Sequence, residues 1–247
     1  MYKFEKMTKY ILLSISILFS TVSSAQFGDL LKKADKIKNE VLGDKSLNIG
    51  DALKEALEEG TKSSVNSLSA KNGYLDSPFK ILIPDEAQKV VSTVSKVPGF
   101  NNVENDLIAK MNEAAELAAK KATPIFIDAI KGITFKDATE ILMGEKNAAT
   151  TYLDNSSRDK LYEEFLPVIQ VALDEVNARK YWMDVVSKYN KIPFIKKVNP
   201  ELDDHVNTKA LDGLFSLIEE KERGIREDVG QRTSPLLQEV FAKQDKE

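Results

Sequence analysis

Apolar residues recur at every third or fourth position through most of the chain, and this spacing predicts amphipathic α-helices. The pattern restarts after turn-forming residues such as Gly43 and Gly144. Such helices are predicted to begin near residues 27, 51, 85, 102, 125, 135, 157, 181, 201 and 235. We therefore predict an all-α fold, a single domain of nine or ten helices.

One stretch departs from the helical pattern. Asn72–Pro84 carries turn-forming residues at both ends and a short apolar run between Pro78 and Pro84. No second segment of the chain is suited to pair with it as a β-strand. We expect an extended loop whose apolar residues pack against helices.

Several helix boundaries are predicted from capping residues. Thr134 and Asp137 have the spacing of a capping box, and Gly144 marks the end of the helix that they begin. Thr123 is expected to cap the preceding helix, with Pro124 at its first helical position.

The longest helical pattern is predicted to start at a pair of serines. Ser156 and Ser157 can cap a helix whose apolar period continues to about Asn177. Pro167 lies inside this helix and is expected to kink it, because proline removes the hydrogen bond to the Glu163 carbonyl.

The first 25 residues have the pattern of a secretory signal peptide. Three lysines precede the short apolar run Tyr10–Phe19, and small residues then lead to Ala25. We expect cleavage between Ala25 and Gln26, export to the periplasm or secretion, and no transmembrane span in the mature chain.

The rest of the chain divides into two predicted parts. Residues 26–48 contain the amphipathic segment Phe27–Leu42 and a linker, and residues 49–243 form the all-helical domain. Phe27–Leu42 is rich in lysine, but its acidic residues favour a loosely docked terminal helix over one that lies on a membrane surface.

Composition restricts the chemistry. The chain has no cysteine and a single histidine, His205, so disulfides are excluded and a zinc site or a nucleophile pair would have one imidazole at most. Loss of three lysines and one glutamate with the signal peptide takes the net charge from −4 to −6. This negative charge argues against general binding to nucleic acids or anionic membranes, although a local basic patch can still act within about one Debye length, roughly 10 Å. No phosphate-binding loop or nucleophile elbow appears, and no cofactor is predicted.

The candidate contact surface joins a basic, aromatic loop to the start of an amphipathic helix. Positive charge beside aromatic rings and a rigid proline suits an anionic or apolar ligand, or an acidic partner segment. The alternative is a solvated lysine cluster around a buried Ile-Pro-Phe plug. The residues assigned to the surface are Tyr189, Asn190, Lys191, Pro193, Phe194, Lys196, Lys197, Asp203, Asp204 and Asp212.

The acids of this surface also have structural explanations. Asp203 and Asp204, beside His205, could help to hold a hard cation, but acids in the first turn of a helix are favoured by the helix dipole without one. Asp212 lies between apolar residues and is expected to be partly buried. A buried carboxylate needs a partner, for which Lys209 or a loop lysine is suited.

Short sequence motifs follow one another along most of the mature chain, from about Asp51 to Phe241. They include Asn72-Gly73-Tyr74, Pro124 through Ile130, Phe165-Leu166-Pro167, Tyr189-Asn190 with Ile192-Pro193, and Lys209 through Phe215. Together they resemble an uncharacterised bacterial family of exported proteins catalogued as domain of unknown function 4197. The resemblance implies export and an all-helical fold without implying an activity. It also implies a tyrosine where this chain has His205, which argues against a role for an imidazole there.

The sequence favours a binding module over an enzyme. The leading hypothesis is an exported module of the bacterial envelope that binds an envelope protein or an anionic or apolar ligand through the candidate surface. One alternative is a carrier of hydrophobic ligands with a pocket around Pro167 and Trp182. The other is a hydrolase that uses carboxylates and a metal, although acid pairs such as Glu163-Glu164 lie on predicted solvent faces.

Overall fold

Contacts divide the chain into Met1–Asn48 and Ile49–Glu247. The computed structural model describes most of the second unit, and the predicted signal peptide and the segment Phe27–Leu42 lie outside the described residues. The residues that the structure describes are 50–85, 88–95, 101–175, 177–191, 193–194, 196–199, 201–232 and 235–242.

Nine α-helices lie within the described residues, and the predicted all-α class is confirmed for that part of the chain. A short 3₁₀ turn, Val229–Gln231, follows the eighth helix. In chain order, α1 covers residues 50–69, α2 Gln88–Val94, α3 Val103–Ala119, α4 Ala122–Lys131, α5 Phe135–Met143, α6 Ala148–Glu175, α7 Ala178–Tyr189, α8 Leu202–Glu227 and α9 Pro235–Phe241.

The long helices α6 and α8 form the centre of the fold. Helix α6 packs most extensively against α8 and α3. Leu161, Phe165 and Ile169 recur every four residues along one side of α6 and are fully buried. On α8, Phe215 meets Phe126 of α4 edge to face, with ring centroids 5.7 Å apart. The apolar period of the sequence therefore corresponds to one large core, beside which a smaller cluster includes Ala52, Leu142 and Phe241.

The longest helix begins earlier than its sequence pattern indicates. The predicted start at Ser156 or Ser157 is wrong, because α6 begins at Ala148 and both serines lie inside it. The Ser157 hydroxyl donates to the Leu153 carbonyl at 2.6 Å, a bond to the preceding turn and not a cap. The helix also continues through Pro167, which is accommodated within one element.

A carboxylate from α8 explains the early start of α6. Glu222 accepts hydrogen bonds from the main-chain N–H groups of Ala149 (2.9 Å) and Thr150 (2.8 Å), and from the Thr150 hydroxyl (2.8 Å). These N–H groups belong to the first turn of α6, where intrahelical acceptors are missing and the helix dipole favours negative charge. Because Glu222 lies 72 residues beyond Thr150, no local pattern indicates this cap.

Arg226 forms a buried ion pair with Glu222 and joins a third helix to the junction. Its Nη2 lies 2.8 Å from Glu222 Oε1, and both side chains are only 7% exposed. The guanidinium also donates to the carbonyls of Ile141 (2.8 Å) and Leu142 (3.1 Å) at the end of α5. The pair therefore satisfies the end of α5 and the start of α6 together.

The predicted capping box of α5 is confirmed. The Thr134 hydroxyl accepts from the Asp137 N–H at 3.2 Å, and the Asp137 carboxylate accepts from the Thr134 N–H at 2.9 Å. The Asp137 carboxylate also accepts from the Thr134 hydroxyl at 2.7 Å, and the two bonds that it accepts from Thr134 hold the pKa of Asp137 below its usual range. Gly144 ends the helix as predicted, whereas α4 begins at Ala122, one residue before the predicted cap Thr123.

The segment Asn72–Pro84 is a loop, as predicted, and one side chain holds its extended part. Asn112 of α3 accepts from the Ile81 N–H (2.8 Å) and donates to the Ile81 carbonyl (2.9 Å). The amide thus pairs with both main-chain groups of one residue, as a neighbouring strand would. Ile81 and Ile83 are buried, and Leu82 between them is exposed.

The start of the same loop is fixed by a buried tyrosine. The Tyr74 hydroxyl donates to the Ala210 carbonyl of α8 at 2.8 Å. The carboxylate of Glu116, on α3, accepts from the main-chain N–H groups of Asn72 (3.0 Å) and Tyr74 (3.3 Å). Burial raises the pKa of the Tyr74 phenol, and the Glu116 carboxylate adds to this effect. The loop is therefore anchored to both α3 and α8.

Candidate functional site

The loop between α7 and α8 is closed at its base by one side chain. The Asn190 amide donates to the Val198 carbonyl at 2.8 Å and accepts from the Val198 N–H at 2.9 Å. The indole N–H of Trp182 donates to the Asn199 carbonyl at 3.3 Å, and Trp182 and Val198 are buried. Both ends of residues 190–199, which we name the basic loop, are therefore fixed on the fold.

Phe194 lies at the exposed middle of the basic loop. Its relative exposure is 107%, so the ring is fully exposed to solvent. Its φ of 65° falls in the left-handed region, which bulky side chains rarely adopt. Strained backbone of this kind persists only where the surrounding structure holds it, and it clusters at functional sites. Pro193 is exposed as well, so these two residues do not form the buried plug of the alternative model.

Three lysines of the basic loop are exposed, and each lies within three residues of Phe194 along the chain. They are Lys191, Lys196 and Lys197. Tyr189 differs from them, because its half-buried side chain packs against the core. Of the predicted surface residues, the lysines, Pro193 and Phe194 thus form an exposed group, while Tyr189 and Asn190 support it from below.

Two acids of the predicted surface contact neighbouring helices. Asp203 is buried, accepts from Gln170 Nε2 of α6 at 2.7 Å and lies 3.6 Å from Arg179 Nη2 of α7. Asp204 accepts from the Tyr162 hydroxyl of α6 at 2.5 Å. That bond is the main cause that raises the pKa of Tyr162 to about 12. The two carboxylates have separate partners and anchor the first turn of α8.

Asp212 is half-exposed and paired with two cations. It accepts from Arg158 Nη1 at 3.1 Å and lies 3.6 Å from the Lys209 ammonium. Arg158 also bonds to Asp154 and lies 4.9 Å above the ring of Phe215. Lys209 was among the predicted partners. Arg158 was not, because it is 54 residues from Asp212 on a different helix.

Two hollows share one wall formed by α8. The first has a volume of about 520 Å³ and lies between α8 and Pro78–Asp85. The second, of about 390 Å³, reaches Trp182 and the end of the basic loop. Both are lined by Pro84, His205 and Lys209. The two hollows therefore border a common surface of α8.

His205 connects α8 to the extended segment beside these hollows. Its Nε2 lies 2.9 Å from the Leu82 carbonyl oxygen. Because a carbonyl only accepts, Nε2 carries the proton and donates this bond. The imidazole therefore has a structural contact at a position where the family resemblance implies a tyrosine. Leu82 lies 123 residues earlier, so the sequence gives no signal for the contact.

The two residues predicted to border one ligand pocket, Pro167 and Trp182, lie in different surroundings in the structure. Pro167 is exposed, and Trp182 instead borders the hollow of about 390 Å³. An apolar cleft lies elsewhere, lined among others by Leu57, Ile218 and Phe241. Its volume of about 30 Å³ has room for one or two waters at most.

Within the part of the chain that the structure describes, no group of three His, Cys, Asp or Glu side chains could hold a metal ion. No helix in that part is long and apolar enough to cross a bilayer.

Comparison of the chain with curated proteins and with solved structures gives no significant match. The model of a family described as protein of unknown function (DUF4197) matches residues 44–242, which include all nine of the helices described above. The chain therefore belongs to this family.

Proposed function

We propose that this protein is a non-enzymatic binding module of the bacterial envelope, exported by its N-terminal signal peptide. It attaches to an anionic partner through the basic loop and the start of α8. The observation that carries the proposal is the position of Phe194, a fully exposed aromatic ring in left-handed backbone among exposed lysines. A ring in this position adds nothing to the core, and it is free to contact a partner.

Charge supports an anionic partner. Lys191, Lys196 and Lys197 place three positive charges on one short loop of a chain whose net charge is −4. Attraction between exposed charges acts within about one Debye length, roughly 8–10 Å at physiological salt. An anionic surface is therefore attracted by the basic loop and repelled by much of the remaining protein. This asymmetry favours one orientation of approach.

The contacts beneath the loop lower the cost of binding. Asn190 closes the loop, and Asp203 and Asp204 fix the adjoining turn of α8 on α6 and α7. A surface that is already ordered loses less conformational entropy when it binds. The buried and paired residues of the predicted site thus act as its support, and the exposed ones make the contact.

Charge reversal in the basic loop tests the proposal. Replacing its three lysines together with glutamate, as Lys191→Glu, Lys196→Glu and Lys197→Glu, is expected to abolish salt-sensitive retention of the protein on an isolated envelope fraction. The three side chains are exposed, so the fold and its unfolding midpoint should change little. Retention equal to that of the unmodified protein would contradict the proposal.

A matched control carries the same change of net charge elsewhere. Lys71, Lys120 and Lys121 are exposed and lie outside the basic loop. Their triple replacement with glutamate should leave most of the retention intact. Equal loss in both triple variants would assign the binding to overall charge and not to the loop.

The second candidate is a carrier of a small, partly apolar ligand, favoured by the hollow of about 390 Å³ beside Trp182. This volume falls in the range of ligand pockets, and Val198 and Leu202 add apolar walls. Native mass spectrometry of protein purified from its own envelope tests this candidate. A bound mass that disappears in Thr208→Trp, which fills the hollow from an exposed position, would support it. Absence of any bound mass would remove it.

A further inference from the structure

We propose that the partner of the basic loop is the surface of an anionic lipid bilayer, into whose headgroup region Phe194 inserts. This inference rests on the proposed function and names the chemistry of its partner. It concerns a peripheral contact made by a loop, not a segment that spans the membrane.

The shape of the basic loop favours a bilayer as its partner. Phe194 and Pro193 are both exposed, and the loop closes below them through Asn190 and Val198. The apolar group therefore projects from the fold and does not line a groove. A projecting aromatic ring suits a soft, deformable acceptor, and the interface of a bilayer accommodates such rings at the level of the headgroups.

The order of charges along the basic loop suits an anionic bilayer. Lysines lie three residues before Phe194 and two and three residues after it. When the ring enters the interface, ammonium groups at this spacing can remain at the level of lipid phosphates. Each lysine near an anionic bilayer strengthens binding by about fivefold, so three together contribute about a hundredfold. One apolar residue alone binds a bilayer weakly, and the two effects are needed together.

The strained main chain at Phe194 holds the ring in an exposed position before any contact. A φ of 65° turns the Phe194 main chain through a conformation that glycine or asparagine adopts more readily. The closed base holds this geometry with the ring exposed, so the ring requires no rearrangement before contact. The depth of insertion is limited to the tip, because Trp182 and Val198, at the base, are buried in the protein.

Co-sedimentation with vesicles of defined composition tests the inference. The probe is a set of phosphatidylcholine vesicles with or without about one third phosphatidylglycerol, an anionic lipid. The protein used is the mature chain from Gln26, so that residues 1–25 add no affinity of their own. We expect binding to the anionic vesicles, loss of binding in high salt, and little binding to the neutral vesicles.

Variants separate the two contributions of the loop. Phe194→Ala should weaken binding about tenfold, and the triple lysine-to-glutamate variant should abolish it. Phe135→Ala is the matched control, because Phe135 is a phenylalanine of α5 that is also exposed, at 52%. The control should bind like the unmodified protein. In Phe194→Trp, the new indole should shift its fluorescence to the blue when anionic vesicles are added.

The outcomes distinguish this inference from the proposed function. If anionic vesicles are not bound, while loop-dependent retention persists on envelope proteins freed of lipid, the partner is a protein and the inference is overturned. If loop-dependent retention on the envelope is also absent, both proposals fail. Vesicle binding that is unchanged in Phe194→Ala and in the triple variant would place the contact elsewhere in the chain and overturn the inference as well.

Discussion

Asn190 forms two hydrogen bonds with the main chain of Val198, one as donor at 2.8 Å and one as acceptor at 2.9 Å. One amide thus spans eight residues and closes the loop that carries the exposed lysines and Phe194. The buried Trp182, which bonds to the next carbonyl, places this closure on the core. The geometry of the proposed contact surface therefore depends on a side chain whose hydrogen bonds to Val198 lie within the loop.

Asn190→Ala is expected to open the basic loop without unfolding the protein. Loss of two hydrogen bonds should lower the free energy of unfolding by about 1–3 kcal/mol. Trypsin should cleave after the loop lysines faster than in the unmodified protein, because the segment loses its fixed base. Asn155→Ala, at an exposed position of α6, is the control. Equal cleavage rates in the two variants would mean that Asn190 does not hold the loop.

Glu222→Ala should be among the most destabilising single changes in the fold. It leaves Arg226 buried without its carboxylate and two N–H groups of the first turn of α6 without their acceptor. Breaking a buried ion pair typically costs about 3–5 kcal/mol. Urea denaturation measures the effect against Glu219→Ala, an exposed acid of the same helix. A cost below about 1 kcal/mol, the usual value for a surface ion pair, would contradict this role.

Asn112→Ala should release the extended segment from α3. The main-chain groups of Ile81 would lose their partners in a buried position, at a cost of about 2–4 kcal/mol. The Ile81 amide should then exchange its hydrogen faster, whereas Asn66→Ala, an exposed change on α1, should leave it unaffected. Unchanged protection at Ile81 would show that other contacts hold the segment.

High pH should weaken the contact between Tyr162 and Asp204. The carboxylate accepts from the phenol and raises the pKa of Tyr162 to about 12, above the value of about 10 for tyrosine in an unfolded chain. The stabilisation is therefore fully present below about pH 10 and is lost as the pH rises towards 12. Urea titrations across this range should show a smaller decrease for Tyr162→Phe. The same decrease in both proteins would contradict the assignment.

Local sequence patterns were sufficient to predict those structural features whose interacting residues lie close together along the chain. The capping box of Thr134 and Asp137 spans three residues, and the prolines and turn residues of Asn72–Pro84 mark a loop directly. The helical period indicated helices in the regions of α6 and α8, because both bury apolar residues at helical spacing. It did not settle whether Asn207-Thr208 divides α8, which is one helix in the structure. The fold class follows from these short-range signals.

Predictions from the sequence were wrong or incomplete where a side chain far away along the chain determines the local structure. Glu222 starts α6 at Ala148, ahead of the serines that resemble caps, and Arg158 binds Asp212 from 54 residues away. The sequence alone left two alternatives open for Phe194, a contact surface or a buried plug, since a phenylalanine between proline and isoleucine is usually buried. Contacts of this kind depend on the packing of helices and leave no signature in the neighbouring residues.

Hydrogen exchange on envelope membranes can locate the contact surface of the protein residue by residue. Amides of the bound and free protein are compared, and exchange is expected to be slower in the bound state within the basic loop and the first turn of α8. Exchange in α5, whose exposed Phe135 and Met143 offer an apolar surface elsewhere, should be unchanged. Protection confined to α5 or to another helix, with the basic loop unaffected, would mean that the basic loop is not the contact surface.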